Sequence, residues 1–259
     1  MTVAPWLPLL RGLTSQTRTW AVWKSPASAL AGEGDVDSVA AEQDWPVVVR
    51  EFRSWAREEG IGPVIHCTHF SGLLILVACA GERPTRLLQL DVYSRHLFRG
   101  VPLVTAGQLV PLTRLEEQGY RRLRPGAEAL LLLLRRLPRG SRALSPVARA
   151  PIVELLGTDP AGAAELAALL GFPPRAVRAF EAGGWDRRSS LAFEARAASR
   201  LLLHPTELRA CLALDYRRLR GCSLVESLEQ GRRVEGDRSE WLSVIARTHR
   251  VEEMPPPTP

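Results

Sequence analysis

Gly34-Asp35-Val36-Asp37-Ser38-Val39 is the stretch that decides how this chain is read. From Asp35 to Val39 polar and apolar residues alternate, which is the period-two signature of a β-strand. Side chains at i and i+2 of a strand point to the same face, so Asp35 and Asp37 converge. A second segment, Leu90-Asp91-Val92, sets a carboxylate inside an apolar, alternating run over residues 86–93. A buried lone aspartate is costly unless it is paired or bound to a metal. If the two strands are neighbours, Asp35, Asp37 and Asp91 share one site. Such a site suits Mg²⁺, which takes oxygen ligands from a few carboxylates and from substrate phosphates. Two such ions would serve an in-line displacement.

Working outward, the first half reads as short strands and helices. Residues 19–23, rich in β-formers, suit a buried strand. Asp44 is placed to cap a helix that begins near Pro46, carries an apolar stripe of Val48, Phe52 and Trp55, and ends at Gly60. Residues 63–67 and 73–80 read as strands around the turn His69-Phe-Ser-Gly72, and with 86–93 they make a three-segment meander. From about Leu112 the pattern turns helical. The run Leu130 to Leu134 must be buried, and residues 138–141 resemble a hinge. Helices are expected around 146–156, 161–170, 174–182, 189–203, 205–220 and 240–250, in a nearly strand-free second half. The fold class is therefore α+β: a mixed sheet with flanking helices over residues 1–125, then an all-α domain over 126–253. The proline-rich tail 254–259 is expected to be unstructured.

Composition narrows the function classes. At 259 residues, 46% hydrophobic and 24% charged, the chain can bury a sizeable core. The four cysteines, Cys67, Cys79, Cys211 and Cys222, form no CxxC pair and read as thiols in a reducing cytoplasm. His66, Cys67 and His69 are close in sequence, but their apolar, strand-like setting makes them core residues rather than metal ligands. The longest charge-free apolar stretch, 64–80, contains two histidines and a turn, so it fits a hairpin better than a membrane helix. No apolar targeting segment precedes Ser28-Ala-Leu-Ala31. A net charge of +6 and a pI near 9.7 suit phosphate-bearing partners, although the arginines are spread along helical stretches as on solvated faces. Lys24 is the only lysine. No Walker A loop, Gly-x-Gly-x-x-Gly or nucleophile elbow is present. His96 and His204 have no spacing that makes a triad, and Trp20, Trp23 and Trp55 read as core.

These motifs resemble the polymerase-beta-like nucleotidyltransferase superfamily, and within it a bacterial subgroup associated with polysaccharide biosynthesis. That subgroup's first strand ends in Lys-Gly, matched here by Val22-Trp-Lys24-Ser25. Its Asp-x-Asp strand matches Gly34-Asp-Val-Asp37, and its third aspartate with a following Arg-Gly matches Asp91 through Arg99-Gly100. The helical second half, with Gly184-Trp-Asp186, is similar more loosely. The resemblance implies that Asp35 and Asp37 bind Mg²⁺ and a nucleoside triphosphate. It implies that Asp91 completes the second metal site and helps deprotonate a hydroxyl acceptor. Lys24 and Ser25 would approach the phosphates. The chain departs from the family in the loop, which reads Ser25-Pro26 where glycine, then glycine or serine, is usual. Glycine lets backbone N–H groups come close to phosphate, and Pro26 has no N–H to give.

Three readings follow. The first is a Mg²⁺-dependent nucleotidyltransferase acting on a small molecule, sugar, protein or RNA, with no membrane role. The second, motivated by Ser25-Pro26, is a catalytically impaired module that senses nucleotide or binds a protein partner. The third and last-ranked is an arginine-rich nucleic-acid binder, for which no recognition signature is visible.

Overall fold

Alternating apolar residues build a sheet that is covered on both sides. The computed structural model describes residues 6–31, 34–62, 64–69, 72–80, 86–98, 101–136, 145–172, 223–227 and 233–236, with Arg178, Ala195, Ser199 and Arg209 as single helical positions. Nine strands form one mixed sheet. In chain order they are β1 (Ala21–Val22), β2 (Val36–Val39), β3 (Val64–His69), β4 (Leu73–Ala80), β5 (Arg86–Tyr93), β8 (Thr113–Leu115), β9 (Arg121–Leu123), β10 (Ser223–Ser227) and β11 (Arg233–Gly236). Their spatial order is β11-β10-β3-β4-β5-β2-β1-β9-β8. The pairs β2–β5 and β1–β9 are parallel, and the rest are antiparallel. A separate hairpin pairs β6 (Arg95–Phe98) with β7 (Val101–Thr105).

One face of the sheet carries α1 (Trp6–Gln16) and α3 (Trp45–Glu58), with the single turn α2 (Ala27–Leu30) between them in the chain and a second, α4 (Ala106–Leu109), after β7. Even-numbered strand residues such as Val22, Val36, Leu74, Leu76, Leu88, Leu90 and Val92 pack there with Phe52. Trp6 and Trp55 stack in the same layer at 5.1 Å between ring centroids. The other face carries α5 (Pro125–Arg136), backed by α6 (Pro146–Thr158) and α7 (Pro160–Leu170). Ala21, Trp23 and Val39 share that core with Leu130 to Leu134. The five leucines are all buried because α5 lies between the sheet and two further helices. Each such side chain contributes about 1.5–3 kcal/mol. Gly126 lets α5 and α7 approach closely, since a Cβ there would overlap the Asp159 carbonyl and the Ala163 amide. The helix that opens at residue 125 thus belongs to the same core as the sheet.

The expected hairpin at 64–80 and the meander β3-β4-β5 are present, with Gly72 in the turn at φ +77°. The strand expected over residues 19–23 is shorter, Ala21–Val22. Asp44 does not cap α3 through its side chain; instead Oδ2 accepts from the amide and the hydroxyl of Thr19, at 2.9 and 2.6 Å. That ties the helix start to the entry of β1. The helical character expected from Leu112 begins only at Pro125. Before it, β8 and β9 form a hairpin closed by Gly119 at φ +85°, where the Gly119 amide donates to the Glu116 carbonyl and the Glu116 amide to that of Tyr120. The second half is not strand-free either, because β10 and β11 extend the sheet from the β3 edge. The expected helices 146–156 and 161–170 appear as α6 and α7. Those expected over 174–182, 189–203, 205–220 and 240–250, and with them Trp185, Cys211, Cys222, His204 and the tail, lie outside the described residues apart from the four helical positions named above. Among the described residues no helix is long and apolar enough to cross a membrane.

Candidate metal centre

The centre is assembled by strand register. In the parallel pair β2–β5, Asp37 lies directly opposite Asp91. Both are odd-numbered, so they share the α5 face with Val39, Trp23 and Tyr93. Asp37 and Asp91 are only 5% and 4% exposed. Asp35 precedes the first residue of β2 and lies nearer solvent. One carboxylate oxygen from each of the three lies within 4.8 Å of the others. Among the described residues this is the one group of histidine, cysteine or acidic side chains so arranged, and His66 and Cys67 contribute to no such group. Cys67 is buried and is part of no disulfide.

The alternation that identified β2 does not mark an exposed face. All four residues of Val36–Val39 are buried, because helices cover both sides of the sheet. Ser38 is satisfied there by donating its hydroxyl to the Asp91 carbonyl at 2.9 Å.

Two cations and an amide hold the carboxylates. Lys24 Nζ lies 2.9 Å from Asp37 Oδ2, and Arg135 at the end of α5 lies 3.7 Å from Asp37 Oδ1. Gln89 Nε2 donates to Asp91 Oδ1 at 2.7 Å. The expected neighbour Lys24 is therefore in the centre, paired with a carboxylate rather than set apart from it. Its side chain is 41% exposed, so its ammonium can also reach ligand. Arg135 is backed by the rings of Trp23 and Tyr93, with its guanidinium carbon 5.6 and 5.8 Å from the centroids.

The loop after β1 is closed by the protein itself. The Ser25 amide donates to Glu128 Oε1 at 2.9 Å, and Arg122 donates to Glu128 Oε2 at 2.6 Å. Glu128 is 2% exposed. A carboxylate of α5 thus takes the Ser25 N–H, and Pro26 offers none.

Tyr93 and His96 line the same face beyond Asp91. Their rings stack at 5.7 Å, and His96 meets Trp23 edge-on at 4.9 Å. Burial, then the charge of Asp91, push the Tyr93 phenol above its ordinary range, so it stays a hydroxyl. Burial, then the charge of Arg135, push His96 down to about 3, so it is neutral.

Sequence reasoning placed Asp35, Asp37, Asp91, Lys24 and Ser25 together, and the structure brings all five to one region. It missed Arg135, Glu128, Gln89 and Tyr93. Glu128 had a usable signal, an acid preceding an unbroken leucine run, and Arg135 stands at that run's end. No protein-family model matches the chain, and no curated protein matches its sequence.

Proposed function

We propose that the protein is a Mg²⁺-dependent nucleotidyltransferase that moves a nucleotidyl group from a nucleoside triphosphate to a hydroxyl acceptor. The observation that carries this is the facing of Asp37 and Asp91 across parallel strands, with Asp35 close enough to share a cation. The donor set fits the ion: oxygen ligands only, two of them buried, and no competing soft ligand among them. Bound there, Mg²⁺ would supply charge stabilisation at the transferring phosphoryl group. The order of strand, small-residue loop, Asp-x-Asp strand and later apolar-Asp-apolar strand also supports the reading.

The chain's own residues would then divide the work. Asp91 accepts the proton of the attacking hydroxyl, whose oxygen bonds to the α-phosphorus as the bond to the leaving pyrophosphate breaks. Lys24, partly exposed, meets phosphate oxygens. It takes over from a loop whose Ser25 amide is already engaged. Incubation with Mg²⁺, labelled triphosphates and a broad acceptor panel tests this. Transfer that depends on Asp35, Asp37 and Asp91 is expected; no triphosphate binding with or without metal would overturn it.

A second reading is favoured by one contact, Ser25 amide to Glu128. A module that binds nucleotide without turning it over would keep the carboxylates and lose the loop. Tight triphosphate binding with no turnover supports it, and turnover that requires Asp91 excludes it.

A further inference from the structure

Beyond the carboxylates, the α5 face of β5 opens into a pocket of about 160 Å³ lined by Tyr93, Arg95, His96, Leu103, Leu131, Leu134 and Arg135. A cavity of roughly this size admits a six-membered ring. Three leucines give it an apolar wall.

Its polar side is one-signed. Arg135 approaches the Tyr93 hydroxyl at 3.5 Å and Asp37 at 3.7 Å, the second too long for a hydrogen bond. A guanidinium carries five N–H donors, so most of them remain for a ligand. Its side chain is 56% exposed, and the rings of Trp23 and Tyr93 fix its orientation. Arg95, also in the lining, lies 3.8 Å from Glu42. Of the two cations, Arg135 is the one held by rings beside the ring-sized apolar wall, with donors left for a ligand. Tyr93 follows Asp91 by two residues on the same strand, so a molecule seated here lies on the face of the carboxylates.

We infer that this pocket is a subsite for a small ring-bearing anion, a cyclic carboxylate or phosphomonoester. The anionic group meets Arg135, and the ring lies against Leu103, Leu131 and Leu134. Naming this molecule as the hydroxyl acceptor rests on the nucleotidyl-transfer reading; its binding does not.

The test is equilibrium binding of benzoate, phenyl phosphate and neutral benzyl alcohol, by ligand-observed NMR and calorimetry, to the full chain and to R135Q and D91N. The expected result is saturable binding of at least one anion, at least tenfold tighter than benzyl alcohol. R135Q should bring that anion down to the level of the alcohol. D91N should leave its affinity within threefold. The benzoate and phenyl phosphate arms distinguish carboxylate from phosphate recognition. Anions that bind no tighter than benzyl alcohol, an R135Q affinity equal to wild type, or loss of binding in D91N would each overturn the subsite. Anion binding without nucleotidyl turnover keeps the subsite and removes only the acceptor assignment. Turnover without anion binding overturns the subsite and leaves the transfer reading standing.

Discussion

The two sides of the centre are built in opposite ways. On the strand side, Asp37 and Asp91 are fixed by backbone register, and their acidic oxygens face a shared space. On the loop side, the residues that would receive phosphate are consumed internally: Glu128 accepts the Ser25 amide, and Pro26 has no amide to offer. The difference lies in what each side needs from the backbone. A sheet holds its carboxylates apart from any ligand, through ladder hydrogen bonds that persist whatever is bound. A phosphate loop works only while its amides stay unsatisfied, and one buried glutamate from α5 is enough to satisfy one.

The largest effect should come from breaking the loop side. Glu128→Ala would leave Arg122, whose side chain is 14% exposed, without its closest partner. It would also strip the Ser25 amide of its acceptor. Breaking a buried pair from one side costs about 3–5 kcal/mol. Chemical denaturation should show a loss of that order, and Glu128→Gln, which keeps an acceptor, a smaller one. A loss under about 1 kcal/mol would mean that the loop is not held this way.

The strand side is broken by removing its charge. Mg²⁺ at a hundred times its Kd should stabilise the wild type by about 2.7 kcal/mol. A site weakened tenfold would give about 1.4 kcal/mol, so Asp37→Asn and Asp91→Asn should each cut the gain to half or less in a thermal-shift series. An equal gain in the variants would place the ion elsewhere.

A smaller effect sharpens the comparison behind Tyr93. His96 is held neutral when folded, at about 3, and titrates near 6.5 when unfolded. Between those values the unfolded chain binds the extra proton, so stability is full above pH 6.5 and falls as pH drops toward 3. The slope from this group is at most about 1.4 kcal/mol per pH unit. His96→Phe should flatten the stability curve between pH 6.5 and 4; an unchanged slope would show that other groups set it.

The smallest effect is expected from Pro26→Gly. If Glu128 already engages Ser25, restoring one backbone N–H at Pro26 should alter triphosphate affinity by less than threefold. A tenfold gain would show that proline, not glutamate, closes the loop.

The strand side was legible in the sequence because its determinants are local. Asp35-x-Asp37 and Leu90-Asp91-Val92 announce their own faces through period two, and the meander between 64 and 93 follows from turn residues. Lys24 stood out as the single lysine. What stayed hidden depends on contacts across long sequence separations. Glu128 reaches Ser25 over 103 residues, and Arg135 reaches Asp37 from the far end of a helix read only as apolar. Local pattern also misjudged Asp44, whose carboxylate serves Thr19 instead of its own helix. The hairpin of β8 and β9 escaped because its strands are three residues long, too short for periodicity to register.

Whether Asp35, Asp37 and Asp91 together hold a divalent cation is measured directly by Mn²⁺ titration read by electron paramagnetic resonance, because bound and free ions differ in signal. Saturable binding to the wild type that Mg²⁺ displaces is expected, with at least a tenfold loss of affinity in Asp37→Asn and in Asp91→Asn. Binding of equal strength in both variants, or no saturable binding to the wild type, would contradict it.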